Sequence, residues 1–218
     1  MSKDIVIDRL NKLDTCAVSD ALDSVEIKGV ALGMRQLTVP KKIVGRAITV
    51  KLVPFANQVS KRHLGTAAIE VASTGNVIVI EHGLDDVAGW GGNLAIAASE
   101  KGISGVIVDG ACRDIDEMRS IDFPVYARAA VPLTARGRIV EQSFNEKIVV
   151  AGIEVNPGDY VIADGSGIVF IPSEQVEEVL SIAERIVEKE AMMANAIKEG
   201  NPVSTVMGRN YETMLDHK

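Results

Sequence analysis

The 218-residue chain has two cysteines, three histidines, and only 4% aromatic residues. Cys16 and Cys112 lack any metal-like spacing, and two thiols cannot staple a chain of this size. A disulfide framework is therefore excluded, and a reducing compartment is expected. So few aromatic rings argue against base stacking as a main activity. No run of Lys or Arg occurs and the net charge is −7, the wrong sign for a nucleic-acid binder. No window approaches the roughly 18 uninterrupted apolar residues of a membrane span. The opening MSKDIVIDRL carries no apolar stretch followed by a cleavage site, so a soluble, cytoplasmic protein with no membrane partner is expected. The dinucleotide fingerprint and the P-loop are both missing. No serine sits in a nucleophile elbow and no cysteine lies beside a histidine, which leaves covalent catalysis without support.

What is present is material for a core. Apolar residues make up 47% of the chain and mean hydropathy is +0.17, which excludes disorder and suits one domain over residues 1–218. Residues 4–13 read as a weak first helix. Asp14-Thr15 can cap a second one running to about Leu22, and Gly29 to Pro40 reads as loop. Ile43 to Val53 alternates as a strand, and Asn57 to Ala72 reads as a helix stopped by Gly75. Val77–Ile80 and Gly105–Val108 are apolar runs of strand length, with a helix from Asn93 to Lys101 between them. This is an α/β pattern. After Pro124 the texture shifts to short strands around 125–127, 147–155, 160–163 and 167–171, separated by hairpin-type turns. A final helix runs from a Ser173 cap to about Glu199, with Gly200 as its stop. Its apolar stripe includes Val176, Val179, Leu180, Ala183, Ile186, Val187, Met193 and Ile197. Glu190 falls on that stripe. Either the stripe opens to solvent there, or Glu190 is delivered into a polar pocket, for instance of a neighbouring subunit.

Chemistry concentrates between Gly89 and Met118. Gly89, Gly91 and Gly92 precede a helix whose first N–H groups are unpaired, a place for a carboxylate or phosphate; an ordinary glycine loop packed on a strand is the alternative. Gly110-Ala111-Cys112 reads as a turn leading from a buried strand into Arg113 and Asp114. Arg113 can grip a carboxylate through two parallel hydrogen bonds. Asp114 can be the single protein ligand of Mg²⁺ or Mn²⁺, because magnesium keeps most of its waters. The alternative is a surface helix whose acidic first turn, Asp114, Asp116 and Glu117, complements the helix dipole. His82 is a candidate general base or a plain loop residue; Asp85 and Asp86 are candidates for proton chemistry.

The segment GWGGNLAIAASEKGISGVIVDGACRD resembles the signature of the regulator of ribonuclease activity A-like family, which includes the class II 4-hydroxy-4-methyl-2-oxoglutarate / 4-carboxy-4-hydroxy-2-oxoadipate aldolases. VNPGDYVIADGSGIVFIP and TCAVSDALD are similar to further hallmarks of the family. The resemblance implies an α/β/β/α sandwich like the phosphohistidine swivelling domain, assembled as a homotrimer or dimer of trimers with active sites between subunits. It implies that Gly91, Gly92, Asn93 and Leu94 hold the pyruvate end of a 2-oxo acid substrate. Arg113 then binds substrate, Asp114 binds the divalent metal, Mg or Mn, and Glu190 comes from a neighbouring subunit as a catalytic acid. The implied activity is a metal-dependent lyase, an aldolase or oxaloacetate decarboxylase; a non-catalytic regulator binding a ribonuclease is the alternative. The family's ribonuclease regulators lack the metal aspartate, whereas Asp114 is present here. The aldolases carry an acidic residue 21 positions before the arginine, and here that position is Gly92. Oxaloacetate decarboxylation needs no base for a 4-hydroxyl, so it is the activity least affected by that glycine.

Overall fold

Alternation along one long strand decides the layering of the molecule. In a computed structural model, which describes residues 4–56 and 62–208, the chain opens with helices α1 (Ile5–Leu10) and α2 (Thr15–Ser24) and the two-residue strands β1 (Val30–Ala31) and β2 (Arg35–Gln36). The long strand β3 (Ile43–Pro54) follows. Then come α3 (Thr66–Val71), β4 (Val77–Glu81), α4 (Gly92–Glu100), β5 (Gly105–Cys112), α5 (Ile115–Ser120) and β6 (Val125–Ala130). The remainder is β7 (Ile139–Phe144), β8 (Ile148–Val150), β9 (Ile153–Val155), β10 (Tyr160–Ala163), β11 (Ile168–Ile171), α6 (Val176–Lys198) and α7 (Val203–Val206).

A nine-stranded mixed sheet runs β1-β11-β10-β3-β4-β5-β6-β2, with β7 also on β3. Strands β3 to β6 are parallel; β10 joins β3 and β11 antiparallel. β3 pairs with β10 over residues 43–46 and with β4 over 47–51, so it is the hinge about which the sheet curls. Because side chains alternate across a sheet, each strand feeds two cores. In β4, Ile78 and Ile80 face α3, α4 and α5, while Val77 and Val79 face the inside of the curl. In β10 and β11, Tyr160, Ile162, Val169 and Ile171 face α1, α2 and α6, while Val161, Ala163, Ile168 and Phe170 face the inside. Three stacked cores make four layers, and the expected α/β/β/α arrangement with a long C-terminal helix is what forms. No helix among the described residues is long and apolar enough to cross a membrane.

Asp14 caps α2 as expected, its side chain accepting from the Ala17 N–H at 2.9 Å. Elsewhere the chain departs from its local pattern. Of the stretch expected to be helical from Asn57, residues 57–61 lie outside the described residues, and from residue 62 on the helix begins at Thr66. Gly65 takes φ +77°, which a right-handed helix cannot contain, and its N–H is bound by Glu141 at 2.7 Å. The loop from Gly29 to Pro40 holds the two short edge strands β1 and β2. Strand β7 was not expected, because its interior Glu141, Gln142 and Ser143 show little apolar alternation. Ser173 is not the cap of α6: the helix begins at Val176 with Gln175 as N-cap. Burial on α6 stops at Ile186, and the helix continues to Lys198 with Met192 63% exposed.

Candidate active site

The site forms where β4 and β5 release their C-terminal ends, the edge at which parallel α/β sheets present ligands. Gly110-Ala111-Cys112, expected as a turn, completes β5 instead; the strand is buried along all eight residues. A side chain at 110 has no room there. Its Cβ would overlap the His82 ring and lie 2.6 Å from the Leu84 carbonyl oxygen. The loop after β4 is thus laid directly on β5, with Ala111 N–H donating to Leu84 O and Gly89 N–H to Ala111 O. His82 is buried beneath this loop, its Nε2 2.6 Å from the Val87 carbonyl, and it does not line the cavity. It braces the loop. Asp85 and Asp86 are exposed and likewise lie away from the cavity.

The backbone N–H of Arg113 donates to Trp90 O at 3.0 Å, which fixes the glycine loop against the end of β5. Asp114 then takes φ +59°, ψ +39°, a left-handed conformation uncommon outside glycine, although asparagine and aspartate enter it more often than other residues. That conformation turns its carboxylate away from the α5 amides, which it does not cap, and back toward the loop. Asp114 Oδ2 accepts the Gly92 N–H at 3.0 Å and lies 3.3 Å from Arg113 Nε. Ala95 N–H already pairs with Gly91 O, so the first-turn amides of Asn93 and Leu94 remain as donors into a small cavity of about 80 Å³. Gly91, Gly92, Asn93, Leu94, Arg113 and Asp114 all line it. The structure therefore gathers five expected loop and arginine groups and the expected metal ligand in one place. It also shows the Gly92 N–H engaged by Asp114.

One acidic group beside the loop escaped the sequence. A Cβ built on Gly92 would overlap Oε2 of Glu117, with Glu117 Cδ at 2.5 Å, so the Glu117 carboxylate fills the space a side chain at 92 would take. A Cβ at Gly91 would stand 2.8 Å from Asp114 Oδ2. Two carboxylates thus converge over the Gly91-Gly92 peptide, one from each end of the first turn of α5. The spacing of three residues, which sets Asp114 and Glu117 on one helical face, was the available signal; it was read as dipole compensation.

Cys112, directly behind the site, is fully buried, and burial with help from the Asp114 charge pushes its thiol up to about 12. It is no nucleophile. Glu190 is not near the cavity within one chain. It is exposed on α6, where desolvation and then the Asp14 and Asp20 carboxylates raise its pKa.

The metal question can be put to these residues. Among the described residues no three His, Cys, Asp or Glu side chains gather as a ligand set. The one carboxylate in the described cavity lining is Asp114, with Glu117 on the adjoining surface. That suits a hard cation retaining most of its hydration, and does not suit zinc.

Residues 15–170 match the family model described as RraA-like: Aldolase/RraA. The chain belongs to the Aldolase/RraA family. Among its relatives is protein DlpA of Legionella pneumophila, 30% identical over 194 residues, 88% of this chain; the match spans 32% of DlpA's own length. A protein named putative 4-hydroxy-4-methyl-2-oxoglutarate aldolase from Halalkalibacterium halodurans is 30% identical over 82% of this chain and 82% of its own. Among solved structures, an uncharacterized protein from Pseudomonas syringae pv. tomato superposes with a TM-score of 0.83 at 30% identity, covering 93% of this chain and 96% of that one. The family includes class II, metal-dependent aldolases, and its fold is the layered one described above.

Proposed function

We propose that this Aldolase/RraA family member is a metal-dependent lyase acting on 2-oxo acids, as an aldolase of the 4-hydroxy-4-methyl-2-oxoglutarate type, an oxaloacetate decarboxylase, or both. The observation that carries the reading is the convergence of Asp114, Glu117 and Arg113 on a glycine-loop helix start. A divalent cation, Mg²⁺ or Mn²⁺, held by Asp114 and otherwise by water would serve as a Lewis acid toward the substrate's keto oxygen. The Asn93 and Leu94 amides bind the substrate carboxylate at the positive end of α4. Arg113 donates to the keto-acid oxygens and stabilises negative charge as it develops on them; removing one such preorganised donor costs on the order of a hundredfold in rate. When the bond from C3 to C4 breaks, the electron pair stays on C3 as the enolate of pyruvate, which takes up a proton.

For an aldol substrate the 4-hydroxyl proton must also be removed. Glu117 stands where the carboxylate expected at position 92 is missing, and we assign it that task, directly or through one water. Its presence supports the aldolase activity that Gly92 alone would leave unexplained. Glu190 acts in this reading as an acid supplied to a neighbouring subunit of a homotrimer or dimer of trimers. Its exposure beyond the buried part of α6, beside exposed Met192, Ile197, Val203 and Met207, supports that placement. Release of pyruvate from oxaloacetate and from 4-hydroxy-2-oxo acids, followed with Mg²⁺ and again with excess EDTA, tests the function. Turnover that ignores EDTA, or its absence on every 2-oxo acid, overturns it.

A further inference from the structure

The small cavity at Asp114 has two ways out, and they differ in charge. One is a shallow surface that starts at the Arg113-Asp114 pair and runs past Ile115 and Val131, where the charges farther out, Asp116 and Glu117, are carboxylates. The other is a groove of about 490 Å³ that shares His63, Leu64, Asn93 and Arg113 with the cavity and continues between Arg62 and the turn at 134–137. The single carboxylate among the described residues of that groove, Glu141, is already neutralised. Glu141 accepts from Arg62 and from the Gly65 N–H at 2.7 Å, and its side chain is 4% exposed. What the groove presents to a ligand is therefore the cation of Arg136, with His63 also in the wall and Arg113 at the inner end.

Arg136 is exposed and has no carboxylate partner among the described residues. Its backbone is nonetheless held. Its N–H lies 3.3 Å from Thr134 Oγ1, and Arg138 Nη1 donates to the carbonyls of Thr134 and Arg136 at 3.2 and 3.3 Å. Arg136 thus sits on a fixed turn in the wall of a groove continuous with the candidate site. A substrate anchored by its keto-acid end can send its far end either way. A far-end carboxylate is repelled by Asp116 and Glu117 and attracted by Arg136. A fork-shaped donor matches that carboxylate.

We propose that Arg136 is a specificity-determining residue that reads a carboxylate at the far end of the substrate, drawing the leaving fragment into the groove opposite His63. The proposal rests on the function proposed above. In the cleavage it serves, the C3–C4 bond breaks, the 4-hydroxyl gives up its proton, and C4 becomes the carbonyl carbon of the fragment. The electron pair left on C3 is protonated to give pyruvate, and the carboxylate-bearing fragment departs past Arg136.

The test is a binding comparison that needs no turnover. Calorimetric titration in the presence of Mg²⁺ compares 2-oxoglutarate with 2-oxopentanoate, which have the same chain length and differ in a terminal carboxylate or methyl group. The wild-type protein should prefer 2-oxoglutarate by about tenfold or more, as a charge-assisted hydrogen bond provides. Arg136→Gln should reduce the preference below about threefold, and Arg136→Lys should keep part of it. Arg136 is exposed on a turn, so neither variant removes packing. Oxalate with Mg²⁺, too short to reach the groove, separates the two levels of the argument. If oxalate binds the wild type but 2-oxoglutarate is not preferred, or if the preference survives Arg136→Gln, the role of Arg136 is refuted and the function stands. If oxalate does not bind at all, both fall.

Discussion

Replacing Gly92 with alanine is the sharpest probe of the site, because its structural and chemical consequences separate. The nearest atoms to a Cβ at 92 are the three atoms of the Glu117 carboxyl group, with no backbone among them. The overlap is relieved by rotating Glu117, at about 0.5–1.5 kcal/mol for an off-rotamer side chain. Against this, Gly92, the first residue of α4, has no positive φ, so alanine there gains about 0.4–1 kcal/mol by restricting the unfolded chain. The two effects offset, so the melting temperature should stay within roughly 5 °C of wild type. Activity should not stay. Displacing Glu117 removes the group assigned to the 4-hydroxyl proton, a loss of about 10²–10⁴ in kcat for aldol cleavage. Pyruvate release coupled to NADH oxidation by lactate dehydrogenase reads this directly. Gly92→Ala combined with Glu117→Ala should be folded and as slow as Gly92→Ala alone. Gly92→Asp with Glu117→Ala returns a carboxylate to the same point from the other wall and should recover activity to within about tenfold of wild type. Full aldol activity in Gly92→Ala would show that the Glu117 carboxylate is not needed where it stands, and the reasoning would fail.

Asp114→Asn should fold normally, since asparagine tolerates φ +59° better than most residues, yet lose Mg²⁺-dependent turnover by at least about a hundredfold; Mn²⁺ titration followed by water-proton relaxation checks the metal affinity. Gly110→Ala should cost about 1–3 kcal/mol by overpacking against His82 and the Leu84 carbonyl, and should also lower activity through the displaced loop; urea unfolding and the pyruvate assay read the two effects. Thr15→Val removes a 2.7 Å bond from the Thr15 hydroxyl to Asp164 and should cost about 1–2 kcal/mol at neutral pH. Burial opposes the charged form of Asp164, but the Thr15 hydroxyl and the Thr15, Ser166 and Gly167 amides outweigh it and hold its pKa below the ordinary 3.8. A carboxylate with a depressed folded pKa stabilises the fold above its unfolded value and loses that contribution as pH falls through the folded one. The stability difference between wild type and Thr15→Val should therefore be full at pH 6 and shrink below about pH 4. A difference independent of pH would disprove the pairing.

The layers were legible because each strand of the sheet carries its own instructions. Val77 to Ile80 and the β10–β11 hairpin are apolar on both faces, and only a strand covered on both sides reads that way. Strand β7 was not legible: Glu141, Gln142 and Ser143 break the apolar alternation, and Glu141 is there to pair with Arg62 and the Gly65 N–H in the groove wall. Nor could Gly110 be read as a strand residue, since its reason is the His82 ring pressed against it from 28 positions upstream. At the site, Arg113 and Asp114 stood out as charges at a strand end. Glu117 did not, because an acid in the first turn of a helix already has a sufficient explanation in the dipole. Only the contact with Gly92 distinguishes a solvated acid from one aimed across the loop.

That contact links the peculiarities of the segment into one arrangement. Asp114 sits in a left-handed conformation that costs on the order of 1–3 kcal/mol, and the surroundings hold it there: Arg113 N–H on Trp90 O behind it, and the Gly92 amide in front. Had Asp114 taken an ordinary N-cap geometry, its carboxylate would bond the amides of α5 and leave the loop. The strain turns α5 so that its first-turn face, Asp114 and Glu117 together, meets the α4 N-terminus. Glycine at both 91 and 92 lets the two carboxylates stay where they are, because a Cβ at either would displace one of them. The same loop that lacks side chains thus accommodates two acidic ones from a neighbouring helix, and leaves the Asn93 and Leu94 amides, Arg113 and, farther out, Arg136 for the anionic parts of a substrate. Arg113 and Asp114 stay paired at 3.3 Å in the cavity wall, with Glu117 on the surface to one side and Arg136 in the groove to the other.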